Sequence, residues 1–208
     1  FESANVTANT LGFRWGLDDG AVTRPMGSAA GDIATGSHSA TENTVANYHF
    51  VGWYPTGAEQ HSCANPASTT LPANVAVAAN DTAGVTFCNA VDTGTLTVVK
   101  HVVGGGASAN DWTMHIGQLQ GAVLQSFPGD EAGTTRTLPV GDYVVSESDG
   151  RANFNLAYSG DCSETGNVTV TPGSHKTCTL TNTRRAEPPQ LTVIKHVVGG
   201  GSIAADFT

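Results

Sequence analysis

Lys100, Glu147 and Asn182 are the residues of this 208-residue chain whose types and positions could do chemistry. Each falls on a strand face that should be buried. In the run Leu96-Thr97-Val98-Val99-Lys100-His101-Val102, alternate residues share one side of a pleated strand. Leu96, Val98 and Val102 are apolar, so their side faces a core and Lys100 points inward with them. Tyr143, Val145 and Glu147 share a face on a second stretch, and Leu180 and Asn182 share one on a third. An isolated buried ion costs several kcal/mol even after relaxation. The amine therefore needs either a buried carboxylate or a covalent fate. A plainer arrangement lays the lysine stem over the core with its head in water, and leaves Asn182 to cap a closing turn.

The elements that must position these groups read as short strands. Charged residues make up only 13% of the chain, so Lys, Glu and Arg, good helix formers, are scarce. Val and Thr, which suit pleated surfaces, are abundant. Gly, Pro and Asn interrupt the chain every several residues. Residues 96–113 (LTVVKHVVGGGASANDWT) recur at 191–208 (LTVIKHVVGGGSIAADFT), with 13 of 18 positions identical at an offset of 95. That period suits one small β-sandwich. Within it, strands are expected at 95–103, 112–116, 122–127, 134–138, 143–147, 154–158, 167–171 and 176–181. The fold class is all-β: tandem antiparallel Ig-like sandwiches. Residues 94–183 form a complete repeat, and 184–190 (RRAEPPQ) a Pro-containing linker, semi-rigid at Pro188-Pro189. Residues 191–208 open a further repeat. Residues 1–91 form a diverged unit that lacks the first, lysine-bearing strand and holds no lysine. There Glu42, Phe50 and Cys63 follow one another as Glu147, Phe154 and Cys162 do.

The pattern LTVVK … GDYVVSE … TCTLTN resembles the prealbumin-like or Cna-B-like repeat domains of bacterial surface proteins. The resemblance covers 94–182 and 191–208 well and 1–91 weakly. It implies a Lys–Asn isopeptide bond assisted by an acidic residue: Lys100 the nucleophile, Asn182 the carboxamide, Glu147 the acid. Burial would lower the lysine pKa and raise that of the glutamate. A neutral amine could then attack, and a protonated carboxyl could bond the amide oxygen and shuttle protons. The resemblance also implies an extracellular, cell-surface or secreted protein. Its role would be that of a structural subunit of a stalk or filament, not an enzyme.

Cys63, Cys88, Cys162 and Cys178 form no CxxC pair, which argues against zinc. Two fall in each half, so Cys63–Cys88 and Cys162–Cys178 are the simplest disulfides, and disulfides require an oxidising compartment. Four buried thiols are the alternative. The tail invites a further expectation. A hairpin alone is marginal in water, so residues 191–208 should pair with something. Strand donation into the first unit of a neighbouring copy would build a homo-oligomer or head-to-tail filament, with Lys195 meeting Asn89 and Glu42. The same features fit a piece of a longer tandem array. Two differences separate the units: Cys88 directly precedes Asn89 whereas Cys178 lies four residues before Asn182, and the stretch around Glu42 alternates poorly.

A net charge of −9 argues against nucleic acid and anionic membrane as partners. No apolar run reaches spanning length, so no membrane insertion is expected of this segment. The chain opens at Phe1 with no signal-peptide pattern, which fits a processed chain or an excised piece. The seven histidines (His38, His49, His61, His101, His115, His175 and His196) have no metal-ligand spacing, and His101 and His196 should face outward. No metal or other cofactor is expected, and no nucleophile motif accompanies Ser, His and Asp. Asp18-Asp19-Gly20 reads as a turn. Phe13, Trp15, Tyr48, Trp53 and Tyr54 fit either ordinary core or, in a binding-module reading, an adhesin platform for a glycan or host protein.

Overall fold

A computed structural model describes residues 8–58, 60–119, 121–148, 151–187, 189–198 and 200–201. Pro188 and residues 202–208, to which the linker and repeat expectations extend, lie outside the described residues. The strands in chain order are β1 (Arg14–Leu17), β2 (Arg24–Pro25), β3 (Gly36–Glu42), β4 (Tyr48–Pro55), β5 (Ala73–Val77), β6 (Val85–Val91) and β7 (Thr93–Val103). They continue as β8 (Thr113–Gln118), β9 (Val123–Pro128), β10 (Thr134–Pro139), β11 (Gly141–Ser148), β12 (Phe154–Gly160), β13 (Asn167–Val170) and β14 (His175–Arg184). All eight strands expected between residues 94 and 183 are present, with ends shifted by a few residues.

Strands β7–β14 make two four-stranded sheets, ordered β10-β7-β14-β12 and β13-β11-β8-β9. Their inner faces close over one core, which includes Leu96, Val98, Trp112, Ile116, Val145 and Leu180. Strand β7 shows the alternation that drives this. Gly94, Leu96, Val98 and Lys100 are buried, whereas Thr95, Thr97 and Val99 are half-buried and His101 is exposed. The turn after β7 runs Gly104-Gly105-Gly106, all three at positive φ, where residues with a Cβ are strained.

Every pairing within these sheets is antiparallel except one. The first and last strands, β7 and β14, lie side by side in parallel, with Lys100 opposite Leu180 and Val102 opposite Asn182. A chain of hairpins cannot place these strands together; the fold does so by wrapping the last strand back beside the first. Strands β1–β6 form a four-stranded sheet, β2-β1-β3-β5, and a two-stranded one, β4-β6. Residues 191–198 form no strand, and Leu191, Val193, Ile194 and Val198 are 81–88% exposed.

Candidate functional site

Three strands aim polar groups at one spot in the core. Lys100 enters from β7 fully buried, with no exposed surface. Glu147 enters from β11 in the facing sheet with its side chain 10% exposed, and Asn182 from β14 at 2%. Lys100 Nζ lies 2.8 Å from Glu147 Oε2. Asn182 Nδ2 donates to Glu147 Oε1 at 2.7 Å. One carboxylate therefore touches both the amine and the carboxamide. Among the described residues Glu147 Oε2 has the charge contact but no hydrogen bond of good angle, and Asn182 Oδ1 has no hydrogen-bond partner.

The surroundings explain the strain on the charge. Nζ sits 4.7 Å from the Trp112 ring centroid, and Trp112 stacks edge-on against Phe154 at 5.3 Å. Nζ also donates to the Leu180 carbonyl at 3.4 Å. Burial pulls the Lys100 pKa below its ordinary value, while the close contact and charge of Glu147, and more weakly the charge of Glu131, pull it back up. Gly129 allows the lysine its place. A Cβ there would run into the Ala109 carbonyl and meet Lys100 Cγ at 2.8 Å.

The arrangement sets an amine and a carboxamide against the two oxygens of one carboxylate. The amine and the carboxamide are fixed beside one proton carrier, which raises their effective concentration. The contact differs from the expected one in a single respect: Glu147 holds the amide nitrogen, not the amide oxygen.

A related pair lies among β1–β6. Asn89 Nδ2 donates to Glu42 Oε1 at 2.9 Å and Oε2 at 3.1 Å. Glu42 is 9% exposed, and burial raises its pKa, partly offset by the Asn89 hydrogen bond. Lys195 is exposed in the tail and belongs to no strand. Within one chain the structure thus joins Glu42 to Asn89 but does not bring Lys195 into a strand beside them.

Both disulfides pair as expected: Cys63–Cys88 with Cα atoms 5.4 Å apart, and Cys162–Cys178 with 5.2 Å. The aromatic residues of the first half are packed. Phe13 is buried and stacks edge-on against Tyr48 at 5.6 Å, and Trp15, Trp53 and Tyr54 are half-buried. Several pairs escaped sequence reasoning, Asp18 with His38 among them. Asp18 does lie in a turn, but its Oδ2 also meets His38 Nδ1 at 2.6 Å, and its Oδ1 accepts from Ser39 N at 2.8 Å. Twenty residues separate the partners, and no local signal links them. Among the described residues no cluster of His, Cys, Asp and Glu is placed to hold a metal, and no helix is long and apolar enough to cross a membrane.

No family model matches the chain, and no curated protein matches it in sequence. Several solved structures are similar to it. The minor pilin of Streptococcus agalactiae aligns at 16% identity over 58% of this chain and 62% of that one, with a TM-score of 0.37. The TIE protein of Bacillus anthracis aligns at 14% over 72% and 25%, TM-score 0.39. The major pilin from Streptococcus pyogenes aligns at 17% over 79% and 75%, TM-score 0.32. The chain spans less than two thirds of the length of the first two.

Proposed function

We propose that this chain is a structural subunit of an extracellular stalk or filament, and that residues 94–183 lock themselves with a Lys100–Asn182 isopeptide bond. The observation that carries the reading is the buried contact itself: an amine 2.8 Å from a carboxylate whose other oxygen is 2.7 Å from a carboxamide. Nothing about stability alone calls for this trio. A buried ion pair is usually no better than well-packed apolar groups of similar volume. A covalent outcome supplies a reason for all three residues.

The reaction balances without a cofactor. Glu147 takes a proton from the Lys100 ammonium, and the neutral amine attacks the Asn182 carbonyl carbon. The Nζ–Cγ bond forms, the Cγ–Nδ2 bond breaks, and Glu147 returns the proton to the departing nitrogen, against which it already sits. Ammonia leaves with the second ammonium proton as an ammonium ion, and the carboxylate is restored. The event happens once per chain; it is maturation and not turnover. Both disulfides and the new bond cross-link a fold that a surface fibre would subject to pulling and proteolysis. The disulfides fit an oxidising compartment. Filament growth through residues 191–208 by strand donation belongs to the same reading.

Intact mass spectrometry of the purified chain tests the bond. The expected mass is below the sequence value by one ammonia, beyond the hydrogens lost to the two disulfides, and Lys100→Ala restores that ammonia. A wild-type chain at full mass refutes the bond.

A further inference from the structure

Among the described residues three buried side-chain polar atoms lack a hydrogen-bond partner, and all three lie around one spot: Trp112 Nε1, Glu147 Oε2 and Asn182 Oδ1. Buried polar groups are nearly always paired, so each exception calls for a reason. Glu147 Oε2 has one in the Lys100 amine at 2.8 Å. The other two are complementary. An indole nitrogen only donates, and a carboxamide oxygen only accepts. Trp112 is 1% exposed and Asn182 2%, so neither atom is served by bulk water.

Strand register places the indole against the trio. Met114 lies opposite Glu147 across β8 and β11. Trp112, two residues before Met114 and itself extended (φ −117°, ψ 144°), is buried on the same inward face. It is therefore a diagonal neighbour of Glu147, at a separation that aromatic side chains span. Phe154, which stacks edge-on against Trp112 at 5.3 Å, lies opposite Arg184, two residues from Asn182 on β14. The second ring is thus a diagonal neighbour of Asn182. The indole already meets the attacking atom, since Lys100 Nζ lies over its ring at 4.7 Å from the centroid.

We infer that the Trp112 indole N–H is the oxyanion donor of the Lys100–Asn182 reaction, a role that rests on the isopeptide bond proposed above. As the Nζ–Cγ bond forms, the π pair of the carbonyl moves onto Asn182 Oδ1, and that oxygen needs a donor. Glu147 cannot serve it, because Oε1 holds Nδ2 at 2.7 Å and Oε2 faces Nζ. Trp112 supplies a neutral donor with no competing acceptor among the described residues. In the resting arrangement donor and oxygen are unpaired. Pairing them only as the carbon becomes tetrahedral confines the gain to the transition state, which lowers the barrier without stabilising the reactants. The intermediate then collapses. The pair returns from oxygen to Cγ, the Cγ–Nδ2 bond breaks, and Glu147 delivers its proton to the departing nitrogen, which leaves as an ammonium ion with the second amine proton. Trp112 keeps its own proton throughout.

The test removes the donor and keeps the shape. Freshly synthesised full chains, disulfides formed, are followed by intact mass over time. Wild type should lose one ammonia soon after folding. A chain with the benzothiophene isostere of tryptophan at position 112, sulfur standing where the N–H was, should lose it about 100–1000-fold more slowly, the range for removal of one oxyanion donor. Trp112→Phe should be slowed at least as much; should that variant fail to fold, as read by near-UV circular dichroism, the isostere decides. The indole N–H does not titrate, so the slowing should be the same at every pH. An isostere that reacts at the wild-type rate shows that the ring only packs, and overturns the inference while leaving the bond. A slowing confined to one side of the pH profile also overturns it, since the ring would then act through the protonation of Lys100. A wild-type chain that keeps its ammonia refutes the bond, and the donor role with it.

Discussion

Replacing Lys100 by Met and Glu147 by Gln together separates an ion pair from a cross-link by the sign and size of the stability change. Were the contact ionic only, exchanging both charged groups for neutral ones of similar volume would be neutral, or stabilising by about 1–4 kcal/mol, since the desolvation of two buried charges is relieved. The carboxamide that replaces the Glu147 carboxylate can still accept from Asn182. If Lys100 is joined to Asn182, the same replacement removes a link that closes a loop of about 80 residues, whose closure entropy is worth about 4.5 kcal/mol at 25 °C. At about 4–8 °C per kcal/mol for a domain of this size, the transition of strands β7–β14 should fall by roughly 20–35 °C. Calorimetry of wild type and double variant, disulfides intact, reads the difference, and intact mass shows which chain carries the bond. A transition that moves by less than about 5 °C, or upward, would refute the cross-link and leave Lys100–Glu147 a buried ion pair.

Three other perturbations have defined outcomes. Gly129→Ala presses on the Ala109 carbonyl and on the Lys100 stem; it should cost about 1–3 kcal/mol in urea unfolding and leave part of the chain at full mass. Removing Cys162–Cys178 by a double Ser replacement opens a 16-residue loop and should cost about 3 kcal/mol, measured in the same way; no change would show that the loop is held by other contacts. The third concerns pH. Asp18 and the Ala34 carbonyl raise the His38 pKa, while His38 and the Ser39 amide lower that of Asp18. The His38 contribution to stability is whole below its unfolded pKa of about 6.5 and is lost as pH rises through the raised folded value. That of Asp18 is lost as pH falls through its lowered one. An NMR titration should place His38 above ordinary histidine in wild type and return it towards about 6.5 in Asp18→Asn; equal values in the two proteins would contradict the pairing.

Much of the second half was legible residue by residue. Side chains alternate along a strand, so three apolar partners on one face were enough to turn Lys100 inward. The same parity placed Glu147 and Asn182 on core faces. The sulfur pairs followed from two cysteines in each half. The resemblance, and not the strand pattern, supplied the idea that the three polar groups react; which side of the Asn182 carboxamide meets Glu147 is set by the packing of two facing sheets.

The first half was harder to read, since its likeness to the second lies in pairing and not in sequence. Phe50 looked like the partner of Phe154 from order alone. Edge-on stacking, of Tyr48 on Phe13 as of Phe154 on Trp112, shows that Tyr48 holds the place. The short β1 and β2 and the two-stranded β4–β6 pair carry too little alternation to reveal which strands are neighbours, and the Asp18–His38 contact spans a turn and two strands.

Local periodicity by itself settled that this is an all-β chain and which residues face inward, because the direction of each side chain is a property of its own strand. Which faces meet was decided only in three dimensions. Parallel adjacency of β7 and β14 brings Lys100 beside residues 180–182 across some eighty positions of chain, and the closing of the sheets sets Glu42 against Asn89 across 47 positions. Neighbour relations between distant strands come from the closing of sheets over a shared core, which no short window of residues encodes.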